Sequence, residues 1–317
     1  MTQPLRAAVI GVGYLGRFHA QKYAANSAVD LVGVVDSDPV RASEVAEEVQ
    51  TTAYTDYRDI LPTADLVSIV VPTRYHYAVA RDCFEAGCHV LLEKPVTQTV
   101  AEADDLIALA SERQRVFQVG HLERFNPAVT ALSDVLHNPQ FIESHRLAPF
   151  KTRGTDVNVV LDLMIHDIDI LLSLVPHGLK TINAVGVPVL SDEVDIANAR
   201  LQFENGCVAN VTASRASREA MRKMRIFQQD AYISIDFQSR EIAIYRKREG
   251  MNLIPGLPNV AVETRRFEQG DPLKDEIDAF VTAVREGRPP VVSGADGKRA
   301  LEVAIQISGR LWHEVTS

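Results

Sequence analysis

The chain is 317 residues long, 46% hydrophobic and 24% charged, with a formal net charge of −9 and a sequence pI near 5.5. That length accommodates two domains with substantial cores. The acidic balance argues against a nucleic-acid binder, whose footprint is basic, and no apolar run is long enough to span a membrane. The basic stretches Arg222-Lys223-Met224-Arg225 and Arg246-Lys247-Arg248 are short and read as solvated strand ends. Three cysteines, Cys83, Cys88 and Cys207, have no metal-ligand spacing. They suit a reducing, cytoplasmic setting better than a disulfide scaffold. The first strand begins almost at once, so no signal peptide is expected.

Residues 5–10 read as a strand that runs into Gly11-Val12-Gly13-Tyr14-Leu15-Gly16, followed by a helix over 17–25. In such a loop Gly11 permits the tight turn, Gly13 lets the backbone approach a pyrophosphate, and Gly16 allows close helix–strand packing. The helix N-terminus adds N–H donors and a favourable dipole for phosphates. A second strand over 31–35 ends in Asp36, about 20 residues beyond Gly16, where a carboxylate accepts hydrogen bonds from an adenosine ribose. Asp36 also repels a 2′-phosphate, so NAD is expected over NADP. Arg41 is the nearby group that could pair with such a phosphate.

A helix over 39–49, a strand over 65–71 and a helix over 74–86 continue the alternation. Val90-Leu91-Leu92 then reads as a buried parallel strand leading into Glu93-Lys94-Pro95. Ligands in open α/β sheets bind beyond the carboxyl ends of the strands, and Pro95 turns the chain out of the strand. Taken alone the tripeptide reads as a surface lysine at a strand exit; in the company of the glycine loop and the motifs further along the chain, Lys94 is expected to aim its ammonium group at a ligand. A helix over 101–111 and a strand over 116–119 complete the rhythm of a doubly wound parallel sheet, a Rossmann domain.

The second half predicts a helix over 126–136 and strands near 141–148, 181–189, 195–204, 206–213, 224–235 and 241–245. Glu204-Asn205-Gly206 marks a hairpin turn. With one long helix over 160–175, this describes an α+β domain with a largely antiparallel open sheet. The domains are expected at 1–121 and 122–317. The long helix is apolar except for Asp162, His166, Asp169 and Ser173, which fall on one stripe. Buried charge needs partners or a wet pocket, so the stripe is a structural network, an active-site wall or a metal site. The metal reading lacks an external ligand set. Asp167 lies off the stripe and receives no role. The loop over 251–258 reads as a subunit contact or a substrate lid. Helices over 272–285 and 295–315 read as packing elements, with Trp312 as a core anchor.

Taken together, the Gly11/Gly13/Gly16 loop, Val71-Pro72-Thr73 with His76, Glu93-Lys94-Pro95 and the Asp162/His166/Asp169 spacing resemble one family over essentially the whole chain. It is the glucose–fructose oxidoreductase, inositol dehydrogenase and rhizopine-catabolism (Gfo/Idh/MocA) family. The resemblance implies an NAD(P)-dependent dehydrogenase acting on a secondary alcohol. It also implies that Lys94, Asp162 and His166 face the nicotinamide and the reacting carbon. Gly11, Gly13, Tyr14, Leu15, Gly16, Asp36, Pro72, Thr73, His76, Glu93 and Lys94 would then contact the cofactor. The family's open sheet often mediates association, so a homodimer or homotetramer is implied.

The segment 120–128, together with 165–169, is similar to members acting on nucleotide-linked sugars, the UDP-N-acetylglucosamine 3-dehydrogenases among them. In bacteria these make a 3-oxo sugar that is then aminated for some lipid A. That likeness implies that Arg124, Asn126, Lys151 and Arg153, beside Asp162 and His166, hold a nucleotide-sugar substrate. The residues themselves also allow an interdomain salt bridge for Arg124 and a flexible loop around Lys151 and Arg153. Relatives with the same Lys/Asp/His core oxidise inositol, polyols or free sugars, and others are non-catalytic dinucleotide-binding regulators.

Overall fold

The computed structural model describes residues 3–150, 157–248, 259–268 and 270–311. Lys151, Arg153, the 251–258 loop and Trp312 lie outside them. Two compact units divide the chain.

The first unit runs through β1 (Leu5–Ile10), α1 (Tyr14–Ala24), β2 (Val29–Val35), α2 (Pro39–Val49), β3 (Ala53–Tyr54), β4 (Leu66–Ile69), α3 (His76–Glu85), β5 (His89–Glu93), α4 (Val100–Glu112) and β6 (Phe117–Gly120). All pairings are parallel, in the order β3-β2-β1-β4-β5-β6. This is the doubly wound order of a dinucleotide-binding sheet, and the direction of winding reverses between β1 and β4. Every residue of β4 and β6 is buried, as a sheet covered on both faces requires. Caps set the helix starts. Asp38 accepts the N–H groups of Val40 and Arg41 ahead of α2, and Thr99 with Glu102 forms a reciprocal capping box on α4. Helix α1 starts three residues earlier than expected because Gly13 serves as its N-cap. The two-residue β3 is too short to carry a periodic signal.

The second unit holds α5 (Pro127–Thr130), β7 (Phe141–Leu147), α6 (Ile165–Leu174), β8 (Leu179–Val187), β9 (Ile196–Phe203), β10 (Val208–Ser214), β11 (Met221–Phe227), β12 (Ala231–Asp236), β13 (Glu241–Lys247) and β14 (Val260–Arg266). Eight strands order as β14-β13-β12-β11-β7-β10-β9-β8. Only β7 and β10 pair in parallel; the other neighbours are antiparallel. Ala197, Ala199, Leu201 and Phe203 of β9 are buried while Ile196, Asn198 and Arg200 are exposed, the period-two pattern of a sheet with one open face.

Three expectations need correction here. The strand anticipated over 224–235 is two strands, because Gln228 and Ala231 close a turn between β11 and β12. The helix over 126–136 is one α-turn followed by a 3-10 turn over Ala131–Asp134. There the Thr130 and Ser133 hydroxyls donate back to the carbonyls of Pro127 and Thr130, competing with helix continuation. The long helix over 160–175 opens with a wide π-turn at Val160–Met164 before α6. Edge strand β14 escaped the sequence reading because its residues are largely exposed and do not alternate cleanly.

Nor does a single cut at 121/122 describe the packing. The first unit ends at Phe125 and then reclaims Asp271–Leu301. These residues carry α7 (Pro272–Glu286) and the start of α8 (Gly294–Ser308). The cause lies in α7, whose Leu273, Ile277, Phe280 and Val281 join Ala7, Val9, Tyr23 and Leu91 in one apolar cluster. An apolar stripe at helical spacing is buried by the surface it matches, whatever its place in the sequence.

Candidate active site

In the first unit, the turn after β1 meets the turn after β4. Gly11 has φ +87°, and a Cβ there would stand 2.6 Å from the Val70 carbonyl oxygen, so only glycine suits the position. At Gly16 a Cβ would be 1.9 Å from the Gly11 carbonyl oxygen. Around Gly13, by contrast, no atom lies within 4 Å of that direction. The first turn of α1 receives no side-chain cap. Backbone N–H groups at an uncapped helix start are the donors a pyrophosphate cradle uses. A cleft of about 640 Å³ opens beside the loop, lined by Val12, Gly13, Tyr14, Phe18 and Arg41 among others. Tyr14 is 70% exposed and packs edge-on against Phe18 at 5.3 Å; Leu15 is half-buried.

Asp36 is buried at the end of β2. Its Oδ2 accepts the Val12 N–H at 3.1 Å and its Oδ1 the Asp38 N–H at 3.0 Å. Arg41 Nη1 donates to Oδ1 at 3.3 Å. The Arg41 guanidinium is thus engaged by the same acid that a ribose would meet. This arrangement suits an adenosine 2′-hydroxyl better than a 2′-phosphate.

Pro72 is exposed and leads the 3-10 turn Thr73–Tyr75, in which Thr73 is half-buried. His76 departs from its expected role as a cofactor contact. Its ring is buried, with Nδ1 2.9 Å from the Pro95 carbonyl and Nε2 2.9 Å from the Val71 carbonyl. Burial holds its pKa below the ordinary histidine value, against the pull of those two carbonyls and of Glu93. It ties the loop after β4 to the loop after β5. Glu93 and Lys94 stand at the end of β5, both half-buried, and the Lys94–Pro95 peptide is cis. Glu93 Oε2 accepts the Lys94 N–H at 3.3 Å.

Arg124 lies 3.9 Å from Asp296 within the same unit, its side chain 16% exposed. Both residues belong to the first unit, so this pair is not the interdomain salt bridge expected for Arg124. Asn126, expected at the substrate, is instead buried and caps α5. It accepts the Ala128 N–H at 3.1 Å and donates to the Phe237 carbonyl at 3.2 Å. The reason is its position immediately before Pro127, where an Asn side chain satisfies a helix start.

In the second unit, Asp162 sits in the π-turn and His166 in the first turn of α6, both half-buried. Such wide turns recur at functional sites. Asn158 braces the turn, its Oδ1 accepting the N–H groups of Val160 and Leu161. Asp169 is buried, and Ser173 bonds back to the Ile170 carbonyl at 2.6 Å. Asp167, assigned no role from sequence, makes a buried ion pair. Arg146 Nε donates to Oδ2 at 2.6 Å and Ser144 Oγ to Oδ1 at 2.7 Å. Sequence reasoning also passed over two enclosed groups of the first unit, His19 and Glu276. The available signal was an acid at 276 within the apolar stripe Leu273/Ile277/Phe280.

Residues 5–121 match the description "Oxidoreductase family, NAD-binding Rossmann fold" and residues 136–234 "GFO/IDH/MocA C-terminal domain". A UDP-N-acetylglucosamine 3-dehydrogenase of Acidithiobacillus ferrooxidans is 44% identical over 304 residues, 96% of each chain. The chain belongs to the Gfo/Idh/MocA family. A solved structure of that Acidithiobacillus enzyme superposes with a TM-score of 0.94 at 42% identity, covering 100% of both chains. A levoglucosan dehydrogenase solved with NADH shares the Gfo/Idh/MocA fold at a TM-score of 0.85 and 20% identity, over 97% of each chain. The protein is an NAD-binding oxidoreductase, and the open Gly13 cradle and the Asp36 acceptor fit that cofactor.

Proposed function

We propose that this enzyme oxidises the 3-hydroxyl of UDP-N-acetylglucosamine to the 3-oxo sugar. The observation that carries the reading is the 44% identity to a UDP-N-acetylglucosamine 3-dehydrogenase across 96% of both chains. A product of this kind is the substrate an aminotransferase needs to make a 3-amino sugar, such as those of some lipid A.

NAD supplies the hydride acceptor. The chain's own residues handle the proton and the charge. His166 takes the hydroxyl proton as general base, a task suited to imidazole near neutral pH. Lys94 stabilises the negative charge that develops on the oxygen. Asp162, one turn before His166, orients the imidazole or holds a neighbouring hydroxyl. Gly11, Gly13, Tyr14, Leu15 and Gly16 line the pyrophosphate, Asp36 receives the ribose, and Pro72, Thr73 and Glu93 border the nicotinamide side. Arg124, Lys151 and Arg153 serve the nucleotide diphosphate.

We also propose a homodimer or homotetramer built on the open face and edges of the second unit's sheet. Val185, Val187, Met221 and Val262 are exposed there, and the rings of Phe227, Tyr232 and Tyr245 stack at 4.9 and 5.0 Å. Exposed apolar side chains on an open sheet face support this association reading.

The decisive experiment is NADH formation with UDP-N-acetylglucosamine, compared with myo-inositol and glucose, with the product identified by mass spectrometry. Turnover confined to the nucleotide sugar supports the assignment. Turnover only with inositol or glucose overturns it, and NAD binding without turnover of any of them points to a regulator.

A further inference from the structure

Three ionisable side chains of the first unit converge in its interior. His19 of α1 and Glu276 of α7 are both 0% exposed, and the Glu93 side chain is 13% exposed. One N or O atom from each lies within 4.8 Å of the other two. His19 Nε2 stands 3.3 Å from Glu93 Oε1. Neither carboxyl oxygen of Glu276 has a hydrogen-bond partner among the described residues. Gly120 makes room for the arrangement, since a Cβ there would lie 2.7 Å from Glu93 Oε1.

Two carboxylates this close and this dry do not both ionise. The groups around Glu276 decide which one keeps its charge. Glu93 acts on it from β5, and Tyr23 of α1 lies close enough to feel its charge. His19 completes the α1 side. Gln118 of β6 donates only to the Glu276 backbone carbonyl, at 3.1 Å. Burial first, and Glu93 second, lift the Glu276 carboxyl well above the usual range. Glu93, by contrast, is partly exposed and accepts the Lys94 N–H.

We propose that Glu276 is a protonated positioning residue which, with His19, fixes the Glu93 carboxylate and through it the Lys94 corner. Glu276 and His19 each bring one atom within 4.8 Å of a Glu93 carboxylate oxygen, His19 Nε2 stands against Oε1, and Oε2 accepts the Lys94 N–H. The functional consequence rests on the reading of Lys94 as a catalytic group; the protonation of Glu276 does not.

Two variants test this. E276Q keeps the shape and cannot ionise, whereas E276L keeps bulk and removes polarity. An acid with a raised folded-state pKa contributes stability below its unfolded pKa and loses it as pH rises. The Tm of E276Q should therefore climb relative to wild type between about pH 5 and about pH 8. A difference that stays flat over that range overturns the proposal. E276L should lower kcat by roughly tenfold to a hundredfold, as expected for a slightly misplaced reacting group, with sugar KM little changed, and E276Q should restore most of it. Equal damage from both variants shows that an ionised carboxylate is needed and overturns the proposal. So does a stoichiometric divalent metal in the wild-type enzyme that E276Q loses. If K94A retains full turnover, the catalytic reading of Lys94 fails, while the pH dependence of Tm still reports on Glu276.

Discussion

Arg146 and Asp167 form a 2.6 Å ion pair with both side chains almost wholly enclosed, joining β7 to the helix that carries His166. Removing one partner strands the other charge in the interior. D167A should cost about 3–5 kcal/mol of stability, measured by urea unfolding. Because Asp167 neighbours His166, turnover should fall as well. The paired replacement R146M/D167L should recover much of the stability, since an apolar pair of similar volume needs no desolvated charge.

The glycines of the first loop separate folding from binding. G16A drives a Cβ against the Gly11 carbonyl at 1.9 Å, so it should lower Tm and weaken NAD binding together. G13A meets nothing within 4 Å and should leave Tm unchanged while weakening NAD binding. Thermal melts and NAD titration by protein fluorescence distinguish the two. A G13A variant with unaltered affinity would contradict the pyrophosphate assignment.

Lys94 and His166 make separate claims on the chemistry. K94A and H166N should each reduce kcat by roughly 10²–10⁴-fold, the range of a general acid–base contribution. NAD affinity should stay close to wild type in both. Stopped-flow NADH formation checks the first point and equilibrium titration the second. A variant with near-normal turnover refutes the role of its residue.

Acid sensitivity should arise partly from His89. Burial first, and the neighbouring Arg115 second, hold its pKa down at about 4, and its Nδ1 accepts the Val116 N–H at 2.9 Å. The unfolded chain protonates this imidazole near its ordinary value, so more protons bind to the unfolded state between about pH 6.5 and about pH 4. The stability that depends on neutral His89 is present above that window and is lost as pH falls through it. H89Q should flatten the fall of Tm across the window, as differential scanning calorimetry would show.

Much of this site was legible because its signals are local. Gly11, Gly13, Gly16 and Asp36 sit in one strand–turn–helix–strand unit whose glycine spacing and acid report their own geometry. The place of Lys94 just after β5 could be read from the apolar run before it and Pro95 after it. The sequence could not reveal the commitments of His76 and Asn126, since both bond to backbone groups that only the folded turns bring near. Glu276 and His19 lie at opposite ends of the chain, so their convergence on Glu93 depends on where α7 docks. The Arg146–Asp167 pair was hidden in the same way: Asp167 lies off the stripe carrying His166, and its partner comes from a distant strand.

The return of α7 to the first unit also has a consequence for synthesis. The ribosome releases β1 to β6 long before it reaches Asp271. Until then, the apolar cluster that α7 shares with Val9, Tyr23 and Leu91 lacks its α7 members while the entire second sheet emerges. A nascent chain halted after residue 125 therefore holds all six parallel strands and still lacks a finished core. The cofactor domain is encoded first, yet it is completed only after the second sheet has been made.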